Sequence, residues 1–183
     1  MRTLAERDQA QGRRDRALLR LEAISGRLVL VVTGAGALIV LVQAVWISYG
    51  VFVRYVLNEP DRFVTEATAL LLVPVAFAGL AYALKEDAFP KVTMAVDALP
   101  PRVQWTIGTI NLVLMLAIGL FFTLVTGKAA IRTYLSGAST EVLRWPEFIF
   151  WIPVAISILV FDVYALARLL IRVTGTEAST RGP

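Results

Sequence analysis

The sequence contains no cysteine and no histidine, and only 17% of its 183 residues are charged. Without imidazole or thiolate, bis-histidine haem ligation, Cys/His zinc sites, histidine acid–base catalysis and thiol redox chemistry are closed to this chain. Quinone-linked disulfide oxidases, haem-b membrane cytochromes and Ser-His membrane proteases are therefore excluded. The missing cysteines mean only that neither face needs a disulfide. A soluble domain carries about 25% charged residues, so the shortage of charge also excludes an ordinary soluble enzyme. No phosphate-binding glycine loop, catalytic carboxylate pair or basic patch interleaved with aromatics is present, which leaves no cofactor site and no nucleic-acid surface.

What the chain has instead is hydrocarbon. Apolar residues make up 57% of it, and the mean hydropathy is +0.70. They recur in four blocks, each near the roughly 20 residues that cross a bilayer core. The first span reads 28–53 without a charge and covers roughly 39 Å at helical rise, so it must tilt or project. The others read 63–84, 103–127 and 148–171. All are apolar around most of their circumference, which fits helices and not the short alternating segments of a barrel. The fold expected is an all-α integral membrane protein of four transmembrane helices, and Pro74 predicts a kink in the second.

Residues 1–27 form a polar, arginine-rich lead-in, too long and too charged for a signal-peptide n-region, and are read as retained. Leu18, Leu21, Ile24 and Leu28 recur at helical spacing among arginines. The pattern predicts a basic amphipathic surface helix on anionic lipid, or a solvated lead-in to the first span. Residues 88–101 predict a short interfacial segment, with Val92, Val96 and Leu99 beside Asp97, stopped by Pro100 and Pro101. Of eighteen Lys and Arg, only Arg54, Arg62, Lys128, Arg132 and Arg144 fall in the first and third joints. The positive-inside rule then places both termini, the 172–183 tail and the interfacial segment in the cytoplasm.

Polar groups inside hydrocarbon are expensive, and they mark function or a partner. Asp162 in the fourth span and Asn111 in the third stand about 12–14 Å from the same membrane face, at a depth that allows a hydrogen bond across a helix pair. The functional alternative is an ion relay, for which Asp162 is the one central acid. Arg54 and Glu66 flank the tight Asn58-Glu59-Pro60-Asp61 turn and either pair across it or snorkel independently. Gly34, Gly36, Gly79 with Ala83, Gly108 and Gly119 offer close helix approach. Trp46, Trp105, Trp145 and Trp151 fit an aromatic belt. No inverted repeat marks a self-sufficient transporter.

Arg54-Tyr55-Val56-Leu57-Asn58, then Pro60, Phe63, Glu66 and Gly79, resembles the small membrane subunit of tripartite ATP-independent periplasmic (TRAP) transporters, the DctQ-like permeases. Val96-Asp97 and Leu99-Pro100 stand where that family carries a His-x-x-Val-Asp segment and a Leu-Pro. Ser139-Thr140, Trp145-Pro146 and Pro153 resemble its proline-punctuated ending. The resemblance runs from about residue 28 to 171. Phe63 replaces the usual tryptophan, Glu66 is one acid where the family has two, and Thr93 occupies the histidine position. The resemblance implies a scaffold subunit in a bacterial inner membrane. Its partners would be a large sodium-coupled transport subunit, a periplasmic substrate-binding protein and membrane lipids, and the solute would be carboxylate-bearing. It also implies that Arg54, Tyr55, Asn58 and Glu66 stabilise the outer hairpin and that Asp97 positions the interfacial segment, none of them catalytic. The competing reading is a stand-alone homo-oligomeric transporter or channel subunit using Asp162.

Overall fold

The structure, a computed structural model, describes residues 4–59, 62–89, 96 and 99–174. Four helices account for nearly all of them: α1 (Leu4–Val56), α2 (Arg62–Lys85), α3 (Pro101–Ser136) and α4 (Phe148–Thr174). Each is long and apolar enough to cross a membrane. Asp97 and most of the expected interfacial segment lie outside the described residues, as do Pro60 and the 175–183 tail.

The lead-in is helical, and it runs into the first span without a break. α1 is therefore 53 residues long, about 80 Å at helical rise. Nothing in 4–56 is a proline, and the isolated glycines cost too little to interrupt a helix of that length. α1 stops where Asn58 adopts the left-handed conformation (φ 55°), which turns the chain so that the Glu59 N–H reaches back to the Val53 carbonyl at 3.5 Å. Asparagine is the non-glycine residue best suited to that conformation at a helix end. α2 continues through Pro74 and ends in a Schellman motif around Asp87 (φ 54°). There the Ala88 N–H bonds the Ala83 carbonyl at 2.8 Å and the Asp87 N–H bonds the Leu84 carbonyl at 3.4 Å.

α3 starts on Pro100-Pro101, with proline at its first helical position, and runs 36 residues to a left-handed Gly137 (φ 64°). It continues a further two turns past Gly127, the expected end of the third span. Lys128 and Arg132 do not break a helix; the left-handed glycine does. Residues 138–147 then fold into a tight hairpin, in which the Thr140 N–H bonds the Trp145 carbonyl at 2.9 Å and the Glu147 N–H bonds the Ala138 carbonyl at 3.0 Å. Arg144 occupies the left-handed region at its tip (φ 56°).

α4 is the central helix, packed against α1, α2 and α3, while α1 and α2 also pair with each other. Val160, Phe161, Tyr164 and Ala165 of α4 meet Val29 of α1, Ala81 and Leu84 of α2 and Leu112 of α3 in one core. α3 is held chiefly by α4, with Phe77 of α2 reaching the edge of Phe122 at 5.9 Å. Because lipid is as apolar as leucine, this association rests on close packing and interhelical hydrogen bonds, not on the hydrophobic effect.

Candidate functional site

Three sets of polar contacts fix how the helices stand. At the end of the bundle holding the α1–α2 turn and the α3–α4 hairpin, here the hairpin end, the first turn of α2 brings Glu66 under the 138–147 loop. Its carboxylate accepts the Val142 N–H at 3.1 Å and the Leu143 N–H at 2.7 Å. These backbone donors have no strand or helix to bond, and an anionic acceptor is the strongest available partner. Glu66 therefore does not pair with Arg54. It reaches a loop far away in sequence, while the Arg54 guanidinium lies 5.9 Å from the ring of Tyr55 and both side chains are exposed on the outside of the bundle. Of the residues expected to hold the outer hairpin, Asn58 ends α1 through its backbone conformation, and Glu66 bonds the 138–147 loop instead.

In mid-span, the α3–α4 contact is built on Gly119. A methyl group there would collide with Asp162 Oδ1, and it would stand only 3.0 Å from its carboxyl carbon and 3.1 Å from Phe161. The bare backbone lets the Asp162 carboxylate lie flat against α3, where Oδ2 accepts the Thr123 hydroxyl at 2.7 Å. Asp162 is 7% exposed, and Oδ1 has no partner among the described residues. The bond to Asn111 that the sequence allowed is not made. Asp162 stands level with Gly119, about 12 Å along α3 from Asn111. Equal depth for the two requires Val103 and Ile171 to stand level, whereas Arg172 lies beside Gly108 and donates to the Trp105 carbonyl at 3.3 Å. Asn111 itself is exposed on α3. An Asp162-lined pathway shared between copies would need that carboxylate open, and α3 of the same chain encloses it.

Between α1 and α2, a seven-residue seam runs through the buried Val29, Gly36 and Gln43 to the part-buried Gly50. A methyl group on Gly36 would stand 2.9 Å from the Ala78 methyl, and one on Gly50 would stand 2.9 Å from Val64. Gln43, 7% exposed, donates to the Thr68 carbonyl at 3.2 Å, and Thr33 donates to the Ala78 carbonyl at 3.3 Å. The remaining small residues divide plainly. Gly34 and Gly79 face away from the bundle and have no atom within 4 Å of an added methyl. Pro146 is exposed and forms the antiparallel bridge to Ser139 that closes the hairpin. At the opposite end the Arg168 guanidinium of α4 lies in the field of Tyr164, Asp87 and Glu22.

A profile of the family described as tripartite ATP-independent periplasmic transporters, DctQ component, matches residues 43–175. The chain belongs to this family. Comparison with curated proteins gives no match. As a DctQ component the chain is the small membrane subunit of a TRAP transporter; the matched region takes in the end of α1, the whole of α2, α3 and α4 and the 138–147 hairpin.

Within this DctQ chain, Gln43, Thr33 and Thr123 carry contacts that sequence reasoning passed over. Gln43 was detectable as the one side-chain amide in a span otherwise free of strong polar groups. Thr33 and Thr123 were not, because a threonine in a span more often bonds its own preceding turn, as Thr126 and Thr133 do here.

Proposed function

We propose that this DctQ subunit is the fixed wall of its transporter. It would hold a large moving subunit at constant depth in a bacterial inner membrane, with both termini cytoplasmic, while that subunit carries out sodium-coupled uptake of a carboxylate-bearing solute delivered by a periplasmic binding protein. The observation carrying this reading is that five polar side chains, Thr33, Gln43, Glu66, Thr123 and Asp162, brace one element against another. Gln43 and Thr33 lock α1 to α2, Asp162 and Thr123 lock α3 to α4, and Glu66 locks α2 to the hairpin loop. A cleft of about 230 Å³ between α2, α3 and α4 is lined by side chains such as Phe77, Met115, Phe122 and Phe161, and offers no group that would ligate an ion or a carboxylate. A rigid frame without a solute site fits a support.

The test is to tag the chain, solubilise native membranes gently, and identify what copurifies. A large polytopic subunit in one-to-one ratio is expected. In proteoliposomes, uptake should require both subunits, the binding protein and a sodium gradient. Uptake by the large subunit alone at the full rate refutes the supporting role.

A further inference from the structure

We propose that Arg172, held against Gly108 at the end of the α3–α4 pair opposite the hairpin, binds the phosphate of one anionic phospholipid. The first observation is how the side chain is fixed. Arg172 directly follows the fourth apolar block, yet it is half-buried and turned onto α3. A methyl group on Gly108 would collide with Nη2 and stand 2.8 Å from Cζ, and Nη2 donates to the Trp105 carbonyl at 3.3 Å. The bare glycine admits the guanidinium here as Gly119 admits Asp162 deeper in the same pair. The cation is therefore oriented before any ligand arrives.

The second observation is that this cation has no counter-charge. Nε is buried without a partner, and no carboxylate pairs with the side chain among the described residues. Asp87 and Glu22 act on Arg168, one turn back on α4. A guanidinium has more donors than one carbonyl bond uses, and its planar fork matches the oxygens of a phosphate.

Depth decides which anion that is. Arg102 and Arg172 are the charges that bound the third and fourth apolar blocks, so α3 and α4 both pass from acyl chains to headgroups here. Gly108 lies about 9 Å deeper than Arg102 along α3, and the levels of the two arginines bracket a headgroup layer of about 5–7 Å. Arg102 is exposed and adds a second cation on the water side, while Trp105, 49% exposed, flanks the site with an indole at its usual interfacial level. Basic pockets between spans at this depth select phosphodiester headgroups. Bound there, the headgroup fastens the end of α3, the helix held chiefly by α4.

The experiment uses the full-length chain with whatever subunit it retains, stripped of lipid in mild detergent and titrated with phosphatidylglycerol. Native mass spectrometry should show one saturable adduct on this chain, held about tenfold more weakly by Arg172→Gln. Gly108→Ala is the decisive arm, because it keeps every charge and displaces the guanidinium; it should weaken the adduct to a similar extent. Arg172→Lys, which keeps the charge and loses the fork, carries the same test if the alanine variant fails to fold. Arg20→Gln removes an exposed charge from α1 beyond the same end and should change nothing. Phosphatidylcholine of the same chain length should bind more weakly, and millimolar inorganic phosphate should not compete. Equal losses from Arg172→Gln and Arg20→Gln mean diffuse attraction to a basic end and overturn the proposal. An adduct untouched by both Gly108→Ala and Arg172→Lys, displacement by inorganic phosphate, or an acidic protein segment crosslinked at Trp105 in place of lipid overturns it too.

Discussion

Replacing Gly119 by alanine tests the central contact of the fold. The new methyl group occupies space now held by the Asp162 carboxylate and stands 3.1 Å from Phe161, so α3 and α4 must separate or Asp162 must turn away. Overpacking of a well-packed contact costs about 1–3 kcal/mol. Turning Asp162 also breaks the 2.7 Å bond from Thr123, and interhelical bonds in membranes are worth about 0.6 kcal/mol, up to about 1.7. The expected loss is about 2–4 kcal/mol, measured as reversible unfolding in mixed micelles followed by tryptophan fluorescence. Gly79→Ala is the matched control, because nothing lies within 4 Å of its new methyl, and it should stay within about 0.5 kcal/mol of the parent. Thr123→Val supplies the second arm. It should cost about 0.6 kcal/mol alone and less when added to Gly119→Ala, since the bond is then already broken. If Gly119→Ala is as mild as Gly79→Ala, or if the two losses simply add, the close approach of α3 and α4 around Asp162 is not what holds them.

Glu66→Ala should free the 138–147 hairpin at a cost of about 1 kcal/mol for a half-buried, charge-assisted pair of bonds. The readout is faster tryptic cleavage at Arg144, with Glu66→Gln intermediate. Asn58→Gly should be neutral, whereas Asn58→Val should cost about 1–2 kcal/mol for forcing a β-branched residue left-handed, seen as a lowered unfolding midpoint. Gly36→Leu should disrupt the α1–α2 pair and lower thermal stability, while Gly34→Leu, two residues away on the open face, should be tolerated. Equal effects of those two would refute the seam through Val29, Gly36, Gln43 and Gly50.

Glu66 and Asp162 show where sequence reading stops. Both stand out in sequence as costly polar groups, and for both the structure supplies a partner that the sequence does not name: the 138–147 loop for Glu66 and Thr123 for Asp162. For Glu66 the sequence offers Arg54 or independent snorkelling, but a bent loop with unbonded N–H groups offers an ionised carboxylate more than one exposed arginine does. Asp162 was matched to Asn111 by counting from span ends, but the ends of α3 and α4 are not level. Arg54 and Tyr55 read as hairpin braces and face outward, while the nearby Asn58 is explained by one backbone angle.

The sequence by itself determined that there are four helices long and apolar enough to span a membrane. Transfer into hydrocarbon is summed residue by residue along the chain, so run length and composition are enough to locate a span. Only the tertiary structure decided which face of each helix points inward. Helices that are apolar all round carry no hydrophobic signal that separates the Gly36 face from the Gly34 face, and lipid solvates either equally well. The choice is made by contacts between distant residues: Gly119 admitting Asp162, Gly36 admitting Ala78, Glu66 meeting Leu143.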